Sequence, residues 1–256
     1  MDHAPSEQLT GEPLHTTALV LSAGVEHDSL ARGLAARLRF RTGALVKWHR
    51  ATRSYRHRFL QEFVRELSTL PVYVFAISAP EPSISRGTAQ FISQLGLDGR
   101  YRRVDSMGSA KRISFGPFVR ASTGEEVSVL VSENRAAMCL FIAHFVLRMH
   151  RRMYEAGNAN HPTDPRHVYW NFLGDKFPGP HGSDMELMFS ILLSLGRDAG
   201  WIRWGYFQES DTVATDLLAD NVAGTLNEKA KRGRGARVEQ LFPEDSRGLF
   251  YWETWS

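Results

Sequence analysis

Three acids stand where the ends of strands and the face of a helix could bring them together. Asp175 follows the apolar run Val-Tyr-Trp-Asn-Phe-Leu, and Glu209 follows Ile-Arg-Trp-Gly-Tyr-Phe. Asp220 lies four residues after Asp216, hence on the same face of the helix that their surroundings predict. Carboxylates gathered at one sheet edge repel one another and stay charged only around a cation. Hard oxygen ligands of this kind suit Mg²⁺ or Mn²⁺ rather than zinc. A pair of such ions, about 3.5–4 Å apart, would activate a water and steady the leaving oxygen in phosphodiester hydrolysis. The bland alternative is capping and solvation, with Ser210 or Asp211 closing the start of a helix and Asp216 exposed. Asp220 fits that alternative less comfortably, because Leu217, Leu218, Ala219, Val222 and Ala223 surround it.

Basic residues gather elsewhere. Between Arg32 and Gln61 there are nine (Arg32, Arg37, Arg39, Arg41, Lys47, Arg50, Arg53, Arg56 and Arg58) and no acid, with Trp48, His49, Tyr55 and His57 among them. A second group comprises Arg100, Arg102, Arg103, Lys111 and Arg112. A third, Lys229, Lys231, Arg232, Arg234 and Arg237, is interleaved with glycine. Each run alone reads as a solvated face; three in one chain point towards a phosphate-bearing partner.

The whole composition narrows the classes. The chain has 256 residues, 43% hydrophobic and 23% charged, which excludes collagen, coiled coil and global disorder and leaves room for a sizeable core. Its 31 Lys and Arg against 28 Asp and Glu leave a formal net charge of only +3. One cysteine, Cys139, excludes an intrachain disulfide framework and a Cys-rich zinc site; with no basic-plus-apolar leader, a reducing, cytoplasmic setting is expected. The longest apolar run, Ala136 to Leu147, is interrupted by His144 and is too short to span a membrane. The ten histidines show no zinc spacing, and phosphate-loop, GxSxG, HExxH and dinucleotide-binding motifs are lacking.

The elements that must position these residues alternate. Residues 1–15 read as an irregular lead-in holding at most a short strand. Strands are expected at 16–22, 72–77, 168–173 and 202–207. Helices are expected at 28–40, 55–67, 87–95, 133–156, 184–195 and 214–229, and short strands or a hairpin within 104–131. Ser132 is placed to cap the long helix and Gly157 to end it. The last residues, 229–256, read as a basic loop and an aromatic tail (Phe250, Tyr251, Trp252, Trp255) that packs back on the core. The expectation is one α/β domain with a mixed central sheet flanked by helices.

Against this layout, Glu209-Ser210 followed by Ala219-Asp220-Asn221-Val222-Ala223-Gly224-Thr225-Leu226 resembles the C-terminal signature of the family known as domain of unknown function 3800. The Val46-Lys47-Trp48 tripeptide, the first two strands and the Asp at 175 follow the same order, so the resemblance covers about residues 16 to 228; only the 209–226 segment is specific. It implies a ribonuclease H-like fold, carboxylates holding Mg²⁺ or Mn²⁺, and nuclease activity in mobile-element or phage-defence settings. The metal ligands it implies are Asp175, Glu209, Asp220 and Asp2. Asp2 is what remains here of the family's Asp-Glu-Ser opening, and Glu209 replaces the usual Asp.

Two functions stay open. The first is a nuclease with Asp175, Asp220 and Glu209 as catalytic carboxylates and Lys47, Arg50, Arg53, Arg56, Arg58, Lys231, Arg232 and Arg234 on DNA or RNA. The second is a catalytically lapsed subunit of the same fold that binds nucleic acid, a partner protein or a second copy. A hydrolase of small phosphate substrates ranks third and would need a deep, closed pocket.

Overall fold

The computed structural model describes residues 2–7, 13–22, 27–37, 45–67, 72–104, 111–120, 122–160, 170–175, 182–198, 202–208, 214–231 and 250–254, some of them through the backbone alone. The fold is mixed α/β. Its strands fall into a four-stranded, a three-stranded and a two-stranded sheet rather than one central sheet. By contact density the chain divides into two compact units, one of residues 1–83, 173–175 and 208–256, the other of residues 84–172 and 176–207.

The first unit is built on β1 (Asp2–Glu7), β2 (Pro13–Ser22), β3 (Val72–Pro80) and β9 (Phe250–Thr254), in the order β1-β2-β3-β9. The first three are antiparallel neighbours and β9 runs parallel to β3, so the sheet is mixed. Within the stretch 1–15, expected to be irregular with at most a short strand, residues 2–7 form β1, paired along its length with β2, and β2 begins at Pro13; residues 1 and 8–12 lie outside the described residues. Pro5 is tolerated there because β1 is the outermost strand, where a missing N–H need break no ladder.

The aromatic C-terminus does pack back. The Trp252 indole N–H donates to Ser78 Oγ at 3.0 Å, and Ser78 Oγ also shares a hydrogen bond with Thr16 Oγ1 at 2.8 Å. Buried hydroxyls are costly unless paired, so this chain of polar groups ties β2, β3 and β9 into one arrangement.

Helices α1 (His27–Arg37), α2 (Arg53–Leu67) and α6 (Ala214–Lys231) complete this unit. On α2, Tyr55, Phe59 and Phe63 recur every fourth residue and so share one face, where they stack with centroids 6.2 Å and 5.7 Å apart. That face joins Leu34, Trp48, Ala76, Leu217, Leu218, Val222 and Trp252 in one core. Helix α6 lies against β1 and β2. Its Asn227 amide donates to the Leu14 carbonyl at 3.2 Å.

The second unit contains β4 (Tyr101–Val104), β5 (Arg112–Val119) and β6 (Glu126–Ser132), an antiparallel meander in the order β4-β5-β6. Consecutive strands are antiparallel neighbours, so 101–132 forms a sheet of its own. Ile113, Phe115, Val129 and Val131 are buried on one face. A register shift between Phe115 and Phe118 centres on Gly116, whose φ of 136° suits glycine and whose missing Cβ leaves room for Ser128.

Helices α4 (Glu133–Asn160) and α5 (Gly182–Asp198) pack on each other, and the pair β7 (Trp170–Asp175) and β8 (Ile202–Gln208) forms the two-stranded sheet. Along α4, Ala136 to Leu147 is buried on nearly every side, as its all-round apolar pattern requires. The helix runs through Gly157 instead of stopping there, since an interior glycine costs only about 1 kcal/mol against alanine. Helix α3 (Glu81–Gln94) likewise begins earlier than expected, because Pro82 falls in its first turn, where the missing N–H has no partner to lose. No helix among the described residues is long and apolar enough to cross a membrane.

His15 on β2 is buried, and burial lowers its pKa from the ordinary 6.5 to about 4. A folded-state pKa below the unfolded one means the unfolded chain binds the extra proton first, so stability is whole above pH 6.5 and is lost towards pH 4. The loss expected from this group is up to about 3 kcal/mol. Urea unfolding at pH 7.5 and pH 5 should show a smaller acid loss for His15→Gln than for the parent.

Candidate functional site

Helix α6 carries the one carboxylate of the expected set whose side chain the structure describes, and its surroundings are specific. The Asp220 Oδ2 accepts the backbone N–H of Trp48 at 2.6 Å. One residue on, the Asn221 amide donates to the Val46 carbonyl at 2.8 Å and to Leu217 O at 2.6 Å. One turn further, Gly224 leaves the space that the Trp48 indole fills, and a Cβ at that position would overlap the ring. Two turns beyond Asp220, Glu228 pairs with the Arg56 guanidinium.

Positions 220, 221, 224 and 228 thus share one face of α6. Together they hold the extended segment ending at Lys47 and the single 3-10 turn Trp48–Arg50. The other side of the turn is closed by Arg56, which donates to the Trp48 carbonyl at 2.9 Å and lies 5.0 Å from the centroid of the indole. Trp48 also meets Phe59 edge-on at 6.4 Å.

The electrostatics agree with a carboxylate held in a partly buried place. Tyr55, whose hydroxyl accepts the Val46 N–H at 3.5 Å, is pushed up to about 12, chiefly by burial and further by the Asp220 charge. A backbone N–H occupies one of roughly four lone-pair positions on a carboxylate. Asp220 therefore keeps capacity for a cation while holding Trp48.

The remaining acids are placed by backbone. Asp175 is the last residue of β7 rather than lying past it, and residues 173–175 group with the first unit, which also holds Asp2 and Asp220. Asp2 opens β1 and pairs with Ala18, a buried member of the core to which α6 contributes Leu217, Leu218 and Val222. Glu209 lies outside the described residues, directly after the end of β8 at Gln208. Among the described residues no three His, Cys, Asp or Glu side chains form a metal-binding group; the side chains of Asp2, Asp175 and Glu209 are not among them.

The basic residues divide into two kinds. Arg56 is held by Glu228 and Trp48, and Arg58 donates to the Arg37 carbonyl at 3.0 Å, so both serve the packing of the first unit. Lys47 is half-buried beside the turn, whereas Arg50 and Arg53 are exposed and make no ion pair among the described residues. Lys231 is half-buried at the end of α6, and Arg232 and Arg234 lie outside the described residues. Cys139 is fully buried on α4, where loss of solvation raises its thiol pKa, leaving it a poor nucleophile.

The clamp itself is the part that local reading overlooks. The tripeptide Val46-Lys47-Trp48 and the stretch 219–226 are legible as separate motifs; the structure makes them two halves of one contact. The available signal is Gly224, a glycine inside an otherwise strong helix, which marks a close approach by a neighbour. Compared with family models, with curated proteins and with solved structures, the chain matches none.

Gly224→Ala is expected to destabilise the protein by about 1–3 kcal/mol, because the indole is fixed by Phe59, Arg56 and its own backbone bond and cannot yield to the new methyl. The pairing of Gly224→Ala with Trp48→Leu should recover part of that loss, as read from thermal unfolding of the three variants.

Proposed function

We propose that the chain is a metal-dependent nuclease of ribonuclease H-like fold that cuts DNA or RNA. The observation that carries the reading is that helix α6, which bears Asp220, lies against strand β1, which Asp2 opens. Asp220 rides on α6, α6 lies against β1 and β2, and Asp2 pairs with Ala18 within the part of the sheet whose core that helix shares. The end of β7 at Asp175 groups with the same unit.

The donor set of Asp2, Asp175, Glu209 and Asp220 is all carboxylate, which fits a hard divalent cation such as Mg²⁺ or Mn²⁺. When bound, such an ion supplies an activated water and charge stabilisation for the leaving oxygen. The chain's own part is to hold Asp220 in place. The Trp48 N–H and the packing of Trp48 under Arg56 give it one orientation. The exposed Arg50 and Arg53, close in sequence to this turn, offer charge to a phosphate backbone.

One observation favours a second reading, a nucleic-acid-binding subunit without catalysis. The bond from Trp48 to Asp220 gives that acid a structural purpose that needs no metal.

The deciding experiment incubates the protein with labelled single- and double-stranded DNA and RNA in Mg²⁺ or Mn²⁺, beside Asp220→Asn and Asp175→Asn. Asparagine still accepts the Trp48 N–H, so Asp220→Asn should remain folded while cleavage falls by at least about 100-fold, and Asp175→Asn should do the same. Salt-sensitive binding with no cleavage by the parent replaces the nuclease with the second reading.

A further inference from the structure

The sheet β4-β5-β6 has an uncovered face whose composition is unusual. Register places Arg102 beside Ser114 and Ser114 beside Leu130 in one row; the next row is Val104, Arg112 and Ser132. With Ile113, Phe115, Val129 and Val131 turned into the core, these rows form the opposite face, where Arg102, Arg112, Val104 and Leu130 are exposed. Val104 and Leu130 are 42% and 45% exposed, and Val119, further along the same sheet, is 67% exposed. Three of the four large exposed hydrophobics among the described residues therefore belong to this one small sheet.

Arg102 and Arg112 are diagonal neighbours on adjacent strands, a separation of about 7–8 Å. Arg102 donates only its Nε, to the Gly99 carbonyl at 3.2 Å, and Arg112 makes no ion pair among the described residues. Among the described residues, the carboxylate that register puts on this face is Glu126, opposite Val119 at the far end. Lys111 is exposed next to Arg112, and the Arg100 guanidinium is 5.0 Å from the Phe118 ring at the margin.

We infer that this face binds single-stranded nucleic acid. Two close cations with no facing acid among the described residues call for an anion, and the aliphatic side chains beside them, Val104 and Leu130, call for an apolar surface in the same ligand. A single strand supplies both, since its phosphates meet the arginines while its unstacked bases lie on Val104, Leu130 and the guanidinium planes. A duplex keeps its bases inside and would leave the aliphatic groups facing phosphate. A second copy of the chain, docked about a two-fold axis, would bring the same arginines together. The serine hydroxyls at 114, 128 and 132 add neutral donors for phosphate or base edges. The inference rests on the nucleic-acid part of the proposed function and not on cleavage.

The test measures fluorescence anisotropy of labelled 20-nucleotide single strands, DNA and RNA, with the whole protein, in the absence of divalent ions and across a salt series. Arg102→Glu/Arg112→Glu should weaken binding at least tenfold and reduce the slope of log affinity against log salt by about 1.4, two contacts at about 0.7 each. Val104→Ser/Leu130→Ser should weaken binding severalfold and leave the slope unchanged. Thermal unfolding of both variants near the parent's temperature shows that the fold is kept. Unchanged affinity in the folded arginine variant overturns the inference, as does equal loss on a duplex of the same sequence. An effect of the aliphatic pair on oligomeric state alone also overturns it, in favour of a protein partner. Cleavage is assayed separately, so loss of binding in the arginine variant supports this face even where the parent cuts nothing.

Discussion

The hydrogen bond from the Trp48 N–H to Asp220 is the contact on which the first unit turns. It joins a turn near the start of the chain to a helix more than 170 positions away, and every neighbouring group is arranged around it. Gly224 admits the indole, Asn221 satisfies the Val46 carbonyl, and Arg56 closes the turn from the far side while reaching Glu228. A charge-assisted bond in a partly buried place is stronger than its neutral counterpart, and the cooperation of the set fixes both a backbone and a carboxylate at once. The same geometry serves packing and any chemistry at Asp220, so only a substitution that keeps an acceptor for the Trp48 N–H can separate the two.

Local periodicity made much of the architecture readable. The fourfold spacing of Tyr55, Phe59 and Phe63, the all-round apolar stretch from Ala136 to Leu147, and the aromatic run ending at Trp252 each place a buried face before any partner is known. What it could not supply was pairing. Pro5 argues against a strand unless that strand lies at an edge, and edge position belongs to the tertiary arrangement, not to the segment. Likewise, alternation within 104–131 suggests short strands or a hairpin, but nothing local gives their bounds or says that they form a sheet apart from β2 and β3.

The candidate site shows the same division. Asp220 stands out because an acid among leucines and alanines is anomalous, whereas its partner is a backbone N–H, which leaves no trace in residue identity. Arginine counts mislead for a related reason. Arg56 and Arg58 read as members of a basic field, yet their guanidiniums reach carbonyls and a carboxylate of their own unit, while Arg50 and Arg53 stay outside. Arginine's planar fork suits it to bind inwards as readily as outwards, so only geometry separates the two uses.

The parallel pairing of β9 with β3 bears on the order in which the protein can be assembled. Phe250–Thr254 lies beside Val74–Ser78, and Trp252 completes the buried link to Ser78 and Thr16. During synthesis the second unit, drawn from residues between 84 and 207, is available in full while the sheet of the first still lacks a strand. Residues 72–80 must then wait with one side of their ladder open, and such an edge is where a growing chain is most exposed to pairing with the wrong neighbour. The nascent first unit is thus the part of this protein with the greatest need of protection until its last strand arrives.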